Sequence, residues 1–416
     1  MAINRRDFLQ LGAQGFLSIY FSSCAAKSVR PPSLLSVSTK NSDFKIIPFA
    51  TNCPLKTGRL LLASNKSPQF SFGKPYSDTG NLLLKVDFQQ KQITAIPTPL
   101  KMTHSAMLMP GKKERCVIVE KDDSNACIVD LENNICESTF SSKEGWNFNG
   151  HCIFSPDQKF FYDAEYNQKN KEAGAIVIRN AETMEIIGEL DSGGIQPHDM
   201  KFFAGGSRLA VAHYGKLAVE VPKNLLSTVT VLEMPSGKIL ETISSPGENQ
   251  ELCHIAVTED GKYLVSVQDF LSAAPPGAND KNATVAVGKQ NFRIAPIMIG
   301  KFGESHEVLM PKKFQDNFLF NFSVALDTTR NVAAVAHFFG ELVTFWDLNT
   351  QKFIKGKKLP ESTSGVAITA DFKTFIASNY KKLYFFDSEN FEQMGSFDFG
   401  FNISAPHSLY LPSRVS

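Results

Sequence analysis

From residue 45 onward, short apolar runs alternate with clusters of Gly, Asp, Asn, Ser and Pro. No long stretch repeats its apolar positions with a helical period. This pattern predicts β-strands joined by tight turns almost throughout. The runs are rich in Val, Ile, Phe and Tyr and alternate only weakly, so the predicted sheets are covered on both faces.

Stacked on one another, the runs repeat. One copy reads His151-Cys-Ile-Phe-Ser-Pro-Asp157, returns through Phe160–Glu165, and continues in Gly174–Asn180 and Met184–Leu190. A second opens at His198 and passes through Leu209–His213, Thr228–Glu233 and Lys238–Ile243. A third opens at Cys253-His254 and returns through Lys262–Gln268. Looser copies open at His104, Phe322 and Gly365. His104, His151, His198 and His254 step by 47, 47 and 56 residues. His407–Leu411 is an orphan strand with too little chain after it for another copy. Arg59–Ala63 and Leu82–Asp87 form a copy that lacks its first strand. Joining the two closes a ring and hides sheet edges that an open array would expose. The expected fold is therefore all-β, a seven-bladed β-propeller over residues 46–416, closed by pairing of the C-terminal strand with the N-terminal blade. A pair of sandwiches leaves the orphan strand unexplained. The longest insertion is Phe270–Lys313, within which Pro296–Gly300 reads as an apolar lip or a fourth strand; Tyr214–Ser227 reads as a second lip.

The repeat gives histidine its meaning. Only eight are present in 416 residues. Five (His104, His151, His198, His254 and His407) share one repeat position, at the start of the strand that lines a propeller's channel. His213 and His337 share a second position, at the end of the returning strand, where Glu165 and Gln268 are their counterparts. Seven of the eight are thus expected at one mouth; His306 falls outside the pattern. Neutral imidazole is the commonest protein ligand for transition metals, and Glu165 offers a hard oxygen. These eight residues are the candidate metal ligands, with iron or copper as the candidate ion. The competing reading is structural, because propeller repeats of the WD type carry a Gly-His pair that braces the backbone, and Gly150-His151 and Trp346-Asp347 are both present.

The remaining composition narrows the field. Lys plus Arg number 43 and Asp plus Glu 42, a net charge of +1, which excludes nucleic-acid binding by bulk charge. There is no Gly-x-Ser-x-Gly elbow, phosphate loop or haem-attachment motif, and no catalytic residues are assigned. Asn4-Arg5-Arg6-Asp7-Phe8-Leu9 resembles a twin-arginine export signal, followed by an apolar run too short to span a bilayer. Phe21-Ser22-Ser23-Cys24 resembles a lipobox. The expected organisation is a leader over 1–23, lipidation at Cys24, a tether over 24–45, and a periplasmic protein anchored to a membrane; cleavage near Ala26 to a soluble form is the alternative. Six further cysteines permit disulfides in an oxidising compartment, or are buried thiols.

Gly150-His-Cys-Ile-Phe-Ser-Pro-Asp157, Gly194-Ile-Gln-Pro-His-Asp-Met200 and Leu252-Cys-His-Ile-Ala-Val257 resemble signatures of the family called domain of unknown function 1513. The likeness covers roughly residues 45–412 and is itself similar to YVTN-type and quinoprotein-like propellers. It implies a periplasmic propeller with no established activity, working beside periplasmic iron-handling proteins in iron uptake. Cys152 and Cys253, beside two of the ring histidines, and the long insertion depart from it. Three functions stand at this point: a propeller that binds a metal or small ligand at a His-lined mouth, a non-catalytic docking scaffold with structural histidines, and a lactonase-like or quinoprotein-like enzyme.

Overall fold

The computed structural model describes residues 53–64, 81–111, 113–170, 174–215, 227–246, 250–269, 296–318, 320–399 and 407–412, with the short strands Leu35–Ser36 and Lys45–Pro48. The leader, Cys24, most of the tether, residues 270–295 and the centre of the 214–227 segment lie outside the described residues.

The described chain is nearly all antiparallel β, in six hydrogen-bonded sheets. Four are simple four-stranded meanders. The first contains Pro197–Phe203, Arg208–His213, Thr228–Glu233 and Lys238–Ser244 in that order. The others open at Gln250, Asn321 and Thr363. The nine-stranded sheet holds two such meanders, opening at Thr103 and Trp146. They are fused where Trp146–Phe154 pairs with the overlong strand Arg115–Asp123. In the five-stranded sheet, Arg59–Ser64, Leu82–Asp87 and Gln92–Pro97 are extended by Ser408–Leu411, which pairs with Arg59–Ser64 in the register Arg59↔Leu411. The architecture is propeller-like.

Turn chemistry explains why the meanders recur. Ser155, Thr258 and Thr369 occupy one repeat position. Each donates its hydroxyl to an Asp two residues on (Asp157, Asp260, Asp371) at 2.6 Å and accepts an N–H from the returning strand at 2.9–3.1 Å. The turn is satisfied by its own side chains, so each hairpin can form locally.

Between meanders the side chains interlock. Phe203 and Val231 pack on Ile255 and Val265 of the following meander, and the pattern continues along the chain. Leu60 and Leu84 of the N-terminal sheet pack on Ile376 and Phe385 of the last meander. Each fully buried Leu or Phe contributes about 1.5–3 kcal/mol. The fourth strands, such as Ile186–Asp191 and Lys238–Ser244, are largely exposed.

One expectation changes in detail, and one open alternative is decided. Ile297–Lys301 is neither a lip nor a fourth strand. It is the buried third strand of its meander, paired with Lys262–Asp269, and His306–Leu309 is the fourth. Its apolar run fills a sheet rather than covering a mouth. The cysteines Cys53, Cys116, Cys127, Cys136, Cys152 and Cys253 are buried free thiols. Cys127 stands opposite Thr139 and Cys136 opposite Val129, so the two are diagonal rather than direct neighbours across the hairpin.

Candidate metal centre

Each first strand carries a register break at the same place. His104 is passed over between Thr103 and Ser105, His198 between Pro197 and Asp199, and His254 between Leu252 and Ile255. His151 lies in the break between Phe148 and Cys152. A bulged residue leaves the ladder and its side chain is re-aimed. The same break passes over Phe322 and Ser364 in the two meanders that lack the histidine. The bulge is thus a property of the repeat, and the residue type at it decides what the first strands present.

The structure brings all five first-position histidines together. His151 meets His104, His198, His254 and His407 with ring centroids 4.5–5.2 Å apart. His198 Nε2 lies 3.2 Å from His254 Nε2, and His407 Nε2 lies 3.1 Å from His104 Nε2. One ring nitrogen from each of His104, His151, His198 and His254 falls within 4.8 Å of all the others. Two nitrogens each about 2.0–2.1 Å from a common ion stand about 2.9 Å apart at a right angle and about 3.4 Å apart at the tetrahedral angle. The separations within the pairs His198–His254 and His104–His407 lie between these limits, and His104, His151, His198 and His254, all buried, could hold a metal ion if their nitrogens drew in from the 4.8 Å envelope.

The backbone around the cluster makes this approach possible. Gly150 has φ +94°, and a Cβ there would stand 2.3 Å from His104 Cδ2. Only glycine lets the ring of His104 lie against that strand. The carbonyl of Asn149 accepts a hydrogen bond from His198 Nδ1, which fixes the proton on Nδ1 and leaves Nε2 a bare lone pair. His254 Nε2–H can fill that lone pair, which leaves His254 Nδ1 bare, and Nδ1 is indeed buried without a partner. His151 Nδ1 faces Asp199 Oδ1 at 3.6 Å, while its Nε2 is buried and unpartnered among the other rings. Asp199 is itself fixed by Lys201 Nζ at 2.5 Å and the Ile255 N–H at 3.1 Å. The approach of Asp199 to His151 is longer than a hydrogen bond, so Asp199 stands near His151 without fixing its ring.

Burial holds all five imidazoles well below their ordinary pKa, and mutual repulsion pushes four of them the same way as they crowd together. In His254 the added push comes from Lys121 and Lys201. All five are therefore neutral at pH 7, the form that binds metal. The Tyr214 ring lies tilted against His198, with centroids 4.3 Å apart, and its hydroxyl accepts a hydrogen bond from Lys121 Nζ at 2.8 Å.

The second-position residues do something else. His337 Nδ1 meets Asn321 Oδ1 at 2.5 Å and its Nε2 meets Thr344 Oγ1 at 2.7 Å. His213 Nδ1 meets the Thr228 carbonyl at 3.2 Å. Glu165 is buried with Arg179, whose Nη2 donates to it at 2.8 Å, and it also accepts the Lys143 N–H at 3.0 Å. Arg179 also donates to Asp163 at 2.7 Å. Burial and the neighbouring Asp163 push the Glu165 carboxyl up to about 9. Gln268 reaches the Asn321 carbonyl at 3.4 Å, and Asn379 donates to the Pro360 carbonyl at 2.8 Å. The expected convergence of seven histidines and Glu165 is thus corrected to five histidines. The second-position side chains turn back into backbone and neighbouring groups of the sheets, whose buried N–H and C=O groups need partners. His306 is exposed on a fourth strand.

Sequence reasoning missed Asn149, Asp199, Lys121 and Tyr214. Asp199 follows a ring histidine directly, and that adjacency was a usable signal. Lys121 and Tyr214 lie 93 residues apart and nothing in the chain links them before folding.

No curated protein matches this chain. Among solved structures, a chain of hydrazine synthase from Kuenenia stuttgartiensis is similar in fold, with a TM-score of 0.57 and 14% identity over 88% of this chain and 98% of that one. The family model described as protein of unknown function (DUF1513) matches residues 99–399, and the chain belongs to that family.

Proposed function

We propose that this protein is a seven-bladed propeller whose hub binds one transition-metal ion, iron or copper, through His104, His151, His198, His254 and His407. The observation that carries the reading is the pair of Nε2–Nε2 separations, 3.1 and 3.2 Å, contributed by four different first or last strands. Ring closure is supported by the pairing of Ser408–Leu411 with Arg59–Ser64 and by the core shared between the last meander and the N-terminal sheet. Asn149 sets the ring of His198, and Gly150 admits His104. A bound ion would replace the protons now shared between imidazole nitrogens. An all-nitrogen, neutral shell suits borderline ions such as copper, iron, nickel and zinc over magnesium or calcium.

We place this activity in the periplasm, with a lipid anchor at Cys24 and a role in iron handling beside partner proteins of that compartment. The leader motif, the lipobox-like Phe21–Cys24 and the family signatures support that placement.

Elemental analysis of the protein isolated gently from its own compartment tests the metal reading. The expected content is about one ion per chain, falling with His151→Ala and His198→Ala but not with His306→Ala. Less than about 0.1 ion per chain, with no uptake of added Cu(II) or Fe(II), overturns it.

A further inference from the structure

Two of the outer sheet edges are covered, and the chain's own N-terminal segment covers them. Lys45–Pro48 lies antiparallel to Gln92–Pro97, the outer strand of the N-terminal sheet, with Lys45 opposite Ala95 and Pro48 opposite Gln92. Leu35–Ser36 lies antiparallel to Ile135–Ser141, the outer strand of the meander opening at Thr103, with Leu35 opposite Thr139. The burial of these two outer strands agrees with the cover. Gln92–Pro97 has four buried residues of six, and Ile135–Ser141 alternates buried with half-buried, whereas Ile186–Asp191, Lys238–Ser244 and His306–Leu309 are largely exposed. The segment expected to be a tether is thus paired with two successive sheets. Strand directions alternate within a meander, so Ile135–Ser141 ends on the side where the first strands begin, which is the side of the histidines. Leu35 pairs near that end and, the pairing being antiparallel, the short strand starts from it.

We propose that the paired stretches Leu35–Ser36 and Lys45–Pro48 act as a strap that fixes the lipid anchor at the outer edge of the meander opening at Thr103, so that the histidine side of that edge is held toward the bilayer. This rests on the anchor at Cys24 proposed above and names the face that the anchor turns to the membrane. A chain spans at most about 3.3–3.6 Å per residue. The eleven residues from Cys24 to Leu35 therefore reach no further than about 40 Å, whereas a tether free as far as Cys53 would reach about 100 Å and would let the molecule turn in any direction. The two pairings remove that freedom, and they also blunt two sheet edges that would otherwise accept another chain. The partner is a lipid surface, met by one outer edge of the molecule, and the histidine side is the nearer to it.

The test uses the full lipidated chain in vesicles of phosphatidylethanolamine and phosphatidylglycerol that carry an acceptor dye on the headgroups. A donor dye is attached to a cysteine introduced by Glu144→Cys or Glu132→Cys; both positions are exposed, while the native thiols among the described residues are buried. Residue 144 follows Ile135–Ser141 on the histidine side, and residue 132 precedes it on the other. The ends of that strand stand about 20 Å apart, and energy transfer from residue 144 is expected to exceed that from residue 132 by at least about twofold. Leu35→Pro together with Ser36→Pro removes the backbone donors of the pairing. A separate insertion of about twenty Gly and Ser residues after Ala26 lengthens the reach and leaves the strands unaltered. Each change should make the two signals nearly equal. Equal transfer from the two positions in the vesicle-bound wild type, greater transfer from residue 132, or a difference that survives either change overturns the strap and leaves the anchor standing. A mature chain with no acyl group on Cys24 overturns the anchor reading, and the strap proposal with it.

Discussion

His104 rests where a side chain at residue 150 would otherwise stand. That single contact joins a backbone conformation to the chemistry of the cluster. Gly150→Ala adds a Cβ at 2.3 Å from the ring and strains a φ of +94°. The expected loss is about 1–3 kcal/mol of stability from backbone strain, with metal affinity weaker by roughly tenfold or more because the ring is displaced. Gly145→Ala is the matched control. It has φ +75° and open space at the Cβ, so it should lose stability and keep metal affinity. Thermal melts and a competition titration on both variants check this; equal metal affinity in the two would show that the His104 contact is unimportant. A bare nitrogen alone does not separate the two kinds of histidine. His337 has both nitrogens satisfied by Asn321 and Thr344, but His213 Nε2 is buried without a partner just as His151 Nε2 and His254 Nδ1 are; what sets the last two apart is that they lie among other imidazole rings. Residue type is identical; the register of the strand decides which becomes a candidate ligand.

At the level of the strand, the repeat was legible because the Ser/Thr-x-Asp turns and the spacing of the histidines recur. That five of the eight histidines lie together could be read from that spacing. The error with His213, His337 and Glu165 has a physical cause. Spacing locates a residue at one end of a sheet, but a bulge turns a side chain out of the ladder and regular pairing does not. His213 stands opposite Pro197 and His337 opposite Asn321, each in the pair that flanks the break, so each keeps a ladder partner while the bulged residue beside it does not. The apolar run at 297–301 was likewise ambiguous from sequence, because a buried third strand and a covering lip share the same composition. The last strand is the element with most at stake. A chain ending at residue 406 would lose four paired residues, the buried Leu411 and His407. The expected destabilisation is on the order of 5 kcal/mol, restored in part by an added peptide spanning 404–416. An unchanged melting temperature after truncation would argue against closure through this strand.

For the whole molecule, buried titratable groups set opposing pH limits. Burial lowers His213 to about 4 and His337 to about 3, against an ordinary value of 6.5. The folded state excludes protons that the unfolded chain accepts, so their contribution is full above pH 6.5 and is lost as the pH falls towards 4 and then 3. Glu165 works the other way. Its carboxyl, raised to about 9, keeps a proton that the unfolded chain releases above about 4.5, so stability declines as the pH rises through that window. Denaturant midpoints measured from pH 4 to 9 should fall at both ends, and Glu165→Gln should flatten the alkaline limb while leaving the acid limb in place. A parallel shift of the whole curve would show that Glu165 is ionised in the native state. The contact between His407 and His104 spans 303 residues. His407 is the last of the five in chain order, so the cluster is complete only once its strand has been made and has paired with Arg59–Ser64. An ion bound by all five would therefore report that this late strand has met the first sheet, and loading it would separate chains paired in this way from chains in which the pairing has not formed.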